Sequence, residues 1–100
     1  METREEAICW LQEHGLFARA RDWAMGASVC VWARQETDSK SGITVFHDVL
    51  YLYPESSGWS LCDLRNPRGA DKSCGSLANA VQEVARLLGR AANACGPELM

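Results

Sequence analysis

GITVFHDVLYLYPESSGWSLCDL, residues 42–64, is the most apolar stretch of the chain, and its reading decides the fold. Residues 43–53 are rich in β-branched and aromatic side chains, which suit a pleated, half-buried surface. Pro54 closes this run, because proline cannot donate to a ladder. ESSG then reads as a turn, and Trp59 to Leu64 as the next strand; so short a connection favours antiparallel pairing. Within the first run Ile43, Val45, Val49, Tyr51 and Tyr53 occupy odd positions, while Phe46, Leu50 and Leu52 occupy even ones. Both faces of this strand therefore read as buried.

Working outward, ASVCVWARQE (27–36) places Val29, Val31 and Ala33 on one side of a strand and Cys30 and Trp32 on the other. TDSKSG (37–42) is a polar hairpin loop. LFARARDWAMG (16–26) has no clean apolar period and is expected to be a loop or short helix packed by Leu16, Phe17 and Trp23. Thr3 and Glu6 have capping-box spacing, so a helix is predicted over 4–14, with Ala7, Ile8 and Leu11 on one face and Gly15 as its stop. RNPRGADKSCG (65–75) reads as a long polar loop. Ser76 then caps a second helix, in which Leu77, Ala80, Val81, Val84, Leu88 and Ala91 recur at helical spacing. NACGPELM (93–100) reads as a frayed tail.

The expected fold is a single α+β domain over 1–100 in the order α-β-β-β-α, a three-stranded antiparallel meander with two helices packed on one face. This order resembles that of double-stranded RNA-binding domains. Those domains carry a lysine-rich start to their second helix, where this chain has SCGSLANAV, so nucleic acid is not expected as a partner.

Composition narrows the function further. With 100 residues, 47% hydrophobic and 23% charged, the chain has the size and balance of an ordinary globular domain. Its five cysteines (Cys9, Cys30, Cys62, Cys74 and Cys95) are odd in number and widely spaced. They fit neither a disulfide framework nor a zinc site, and no metal or cofactor is expected. METREEAICW has the character of neither a signal peptide nor a membrane span, so a reduced, cytoplasmic protein without membrane contact is expected. The net charge of −3 is modest, with basic residues gathered at Arg19, Arg21 and Arg34 and in the loop around Arg65, Arg68 and Lys72.

Three polar constellations are candidate sites. His47 and Asp48 resemble a proton-transfer pair, but neighbours in a regular strand point to opposite faces, and a bulge or bend is the simpler reading. Cys74 precedes a helix start, where a thiolate would be favoured, but no histidine is adjacent in sequence. Arg68, Lys72, Ser73 and Ser76 could hold an anion at a helix N-terminus, although the loop lacks the spacing of a phosphate-binding motif.

The aromatic residues are more informative. If both helices cover one side of the sheet, the other carries some of Trp32, Phe46, Leu50 and Leu52, with Tyr51 and Tyr53 as neighbours. Either residues 16–26 and the tail cover it, or it is an interface with another protein or a second copy of the chain. The sequence is accordingly read as a protein-interaction module such as an inhibitor, an immunity-type protein or an adaptor, binding through an aromatic sheet face and an acidic surface that suits a basic partner. An enzyme or small-ligand binder using His47, Asp48, Asp63 or Cys74 is the alternative.

Overall fold

Helix α1 (Arg4–Glu13) begins where the capping box places it: the Thr3 hydroxyl accepts from the Glu6 amide at 3.1 Å, and the Glu6 carboxylate accepts from the Thr3 amide at 3.0 Å. The structure is a computed structural model that describes residues 2–23, 26–66 and 68–94. The chain continues through strands β1 (Phe17–Trp23), β2 (Gly26–Thr37), β3 (Thr44–Glu55), β4 (Gly58–Asp63) and β5 (Lys72–Gly75) to helix α2 (Leu77–Ala94). The strands form one antiparallel sheet in sequence order, β1-β2-β3-β4-β5.

The α+β class and the two helices are as expected, but the sheet has five strands rather than three. Residues 17–23 form an edge strand, not a loop or short helix. Ala18 is buried in the core, while Arg19, Ala20 and Arg21 are exposed. The Trp23 side chain lies outside the described residues. At the other edge, Lys72–Gly75 pairs with β4 across an irregularity at Trp59/Ser60. Here the backbones approach so closely that a Cβ on Gly58 would lie 2.4 Å from the Gly75 carbonyl oxygen, so only glycine fits.

Both helices pack on one sheet face. Ala7 and Leu11 of α1 and Leu77, Ala80, Val81, Val84 and Leu88 of α2 share a core with Val29, Val31, Leu50, Leu52 and Leu61. Ser76 accepts from the Asn79 amide at 3.1 Å and caps α2 as expected. The stripe along this helix is buried from Leu77 to Leu88, each fully covered leucine contributing about 2 kcal/mol of transfer free energy. Its last member, the Ala91 side chain, and the tail from 95 onward lie outside the described residues.

Candidate interaction surface

The face of the sheet away from the helices is built on Cys30 and Trp32 of β2 and Tyr51 of β3. Phe46, Val49 and Cys62 are half-buried against them. A backbone irregularity assembles this group. Asp48 has φ 59°, the one positive φ among the described non-glycine residues. The pairing of β2 with β3 skips Ala33 and Asp48, yet keeps the same register on either side, Trp32 with Val49 and Arg34 with His47. The strand therefore bends here without an inserted residue.

Side-chain direction changes across this point in both strands. Phe46 would follow Leu50 and Leu52 to the helix side by simple alternation, yet its ring stacks on Trp32 with centroids 4.2 Å apart. In β2, Gln35 comes to the same side as Trp32 and accepts from its indole N–H at 2.9 Å. Phe17 extends the row from β1, its ring 5.8 Å from Trp32 and nearly parallel to it.

Of the residues expected on this surface, Trp32, Phe46 and Tyr51 belong to it. Leu50 and Leu52 do not, because alternation from Tyr51 turns both into the core beneath the helices, where neither is exposed. Tyr53 sits farther along β3, half-buried, with its hydroxyl donating to Asp71. That bond, reinforced by burial, pushes the Tyr53 phenol up to about 12. Phe17 was missed by sequence reasoning, as were Arg19 and Arg21, although the ARAR alternation holds the signal.

These arginines account for the low exposure of an aromatic cluster that lacks a second layer. The Arg19 guanidinium lies 5.9 Å from the Trp32 ring centroid and 5.6 Å from that of Phe46. Arg21 lies 6.0 Å from the Tyr51 ring. Each stem runs over apolar surface and sets its guanidinium over a ring face. Trp32 is thereby only 6% exposed, whereas Phe17, at the end of the row, is 40% exposed. Beneath them burial pushes the Cys30 thiol and the Tyr51 phenol above their ordinary values.

The polar candidates do not converge. His47 contacts Glu36 at 3.2 Å, Asp48 contacts Arg34 at 3.3 Å, and Asp63 is held below the usual carboxylate range by Arg65. Cys74 is half-buried against the core, which raises rather than lowers its thiol pKa. Within the suggested anion loop Lys72 pairs with Glu83 at 2.9 Å, and the Ser76 hydroxyl serves the helix cap. Arg68 and Ser73 are exposed. Among the described residues no group of three or more His, Cys, Asp and Glu side chains is arranged to hold a metal ion, and no helix is long and apolar enough to cross a membrane. Compared with family models, curated proteins and solved structures, the chain has no match in any of the three.

Proposed function

We propose that the protein is a non-catalytic, cytoplasmic protein-binding module and that the sheet face bearing Phe17, Trp32 and Phe46 is its contact surface. The observation that carries this reading is the aromatic row itself: three rings in stacked sequence, flanked by two arginines, with no described element lying over them. Aromatic residues and arginine are the types enriched where protein surfaces meet, because rigid rings bury much area at small entropic cost and guanidinium groups bind carboxylates in two-pronged geometry. Free thiols at Cys9, Cys30, Cys62 and Cys74 support the reducing compartment.

The charge on this face refines the partner. The net charge of −3 favours a basic one, but Arg19 and Arg21 are the charges that frame the rings, so the matching surface carries carboxylates around an apolar centre. Affinity capture with the wild-type chain and with Phe17→Ala and Arg19→Glu tests this. Both positions are exposed, so the variants keep the fold. A bound protein should be retained by the wild type and weakened roughly tenfold or more by each variant, the size of a hot-spot loss. Retention unchanged by both substitutions would exclude the face.

A further inference from the structure

The hairpin joining β2 to β3 projects beyond the rest of the sheet. Strand β1 pairs only with residues 26–32 of β2, and β4 only with residues 50–55 of β3. The ribbon between them, Ala33–Thr37 with Thr44–Asp48, has no neighbouring strand at either edge among the described residues, and residues 34–45 are all exposed. An open edge of this kind offers a row of backbone donors and acceptors to another strand.

The two edges differ in what they can receive. Along β3 the αL residue Asp48 breaks the regular edge. Along β2 the sequence Ala33-Arg34-Gln35-Glu36-Thr37 is complementary to itself: paired antiparallel about Gln35 with a second copy, it sets Arg34 of each chain opposite Glu36 of the other. Both side chains reach water, at 46% and 79% exposure, and positions two apart in a strand project to the same side. Within the chain Arg34 contacts Asp48 and Glu36 contacts His47, and pairing across the two-fold exchanges these partly exposed contacts for the intermolecular ones.

We infer that the protein forms a two-fold homodimer by antiparallel pairing of residues 33–37 of β2, joining the two sheets edge to edge. A two-fold axis through Gln35 makes each contact occur twice, and opposite charges facing each other across strands are favourable where like charges are not. The interface is small and polar, so association is weak, salt-sensitive and concentration-dependent. It adjoins the aromatic row at Gln35, whose side chain accepts from the Trp32 indole.

The experiment is light scattering and sedimentation of the full chain at about 100 μM, a concentration at which a weak complex is populated. The wild type should dimerise. Glu36→Lys sets positive charges against Arg34 of the other copy, and Arg34→Glu sets negative charges together; each alone should weaken association at least tenfold, as like-charge pairs in register do. An equimolar mixture of the two variants should regain the dimer as a heterodimer, and so should the exchanged double variant Arg34→Glu/Glu36→Arg. Because each single variant must serve in the rescuing mixture, recovery also shows that both fold. A wild type monomeric at this concentration, a dimer indifferent to the single reversals, or a mixture that stays monomeric would overturn the inference.

Discussion

At Asp48 a single residue determines what the open face contains. Its positive φ turns the ribbon so that Phe46 stacks on Trp32 instead of following Leu50 to the helix side. For residues other than glycine this conformation costs on the order of 1–2 kcal/mol, least for Asp and Asn and most for β-branched side chains. Asp48→Gly relieves the strain and gives up a partly exposed ion pair with Arg34, which contributes under about 1 kcal/mol, so its stability should stay within about 1 kcal/mol of the wild type. Asp48→Val should lose about 2–3 kcal/mol, since it combines the strained φ with a branched side chain. Urea unfolding measures both; a valine variant as stable as the glycine variant would show that the bend is not held at this residue.

Among the elements, the edge between β4 and β5 is the least tolerant of change. Gly58 has φ 131°, and an added Cβ would meet the Gly75 carbonyl, a backbone atom that cannot swing away as a side chain would. Gly42 also has a positive φ, of 74°, but nothing lies within 4 Å of the added carbon. Gly58→Ala should therefore cost about 3 kcal/mol or more and loosen β5, whereas Gly42→Ala should cost about 1 kcal/mol of backbone strain alone. Thermal unfolding of the two variants provides the comparison, and equal losses would mean that the close approach is unimportant.

Elements whose signal is local were legible in the sequence. Thr3 with Glu6 set the start of α1, and the stripe from Leu77 to Leu88 set α2, because caps and helical periods need no knowledge of distant residues. Strand β1 escaped because Ala18 is its one buried residue among those described, and so small a side chain gives weak contrast against Arg19 and Arg21. Strand β5 escaped because Lys72–Gly75 is four residues long and only Cys74 and Gly75 are even partly buried. The surface was legible in kind but not in membership. Composition shows that both sides of β3 are apolar, while the assignment of Leu50 and Leu52 to the core and Phe46 to the open face depends on pairing register and on the backbone at Asp48.

For the molecule as a whole, the helices cover one side of the sheet and arginine stems shield the other, so the edges are where tertiary structure is most lightly held. Glu83 secures one of them. From α2 it reaches Lys72 of β5 at 2.9 Å and also accepts from Arg86, and its side chain is only 16% exposed. Hydrogen bonds from Arg86 and then from Lys72 pull its carboxyl down from 4.5 to about 2. A carboxylate with a lowered folded pKa contributes stability that is complete above its unfolded value and disappears as pH falls toward the folded one. The window here runs from the ordinary carboxyl value of 4.5 down to about 2. Lys72 and Arg86 are 57% and 66% exposed, so solvent screens the interaction, and the contribution should be about 1 kcal/mol rather than the full equivalent of the shift. Glu83→Gln should therefore be less stable than the wild type by about 1 kcal/mol at neutral pH, with the difference shrinking through the acid window as the native carboxyl takes up its proton. Urea unfolding of both proteins across that range checks the sign: a gap that widens on acidification would mean that Glu83 is not what holds β5 to the helix.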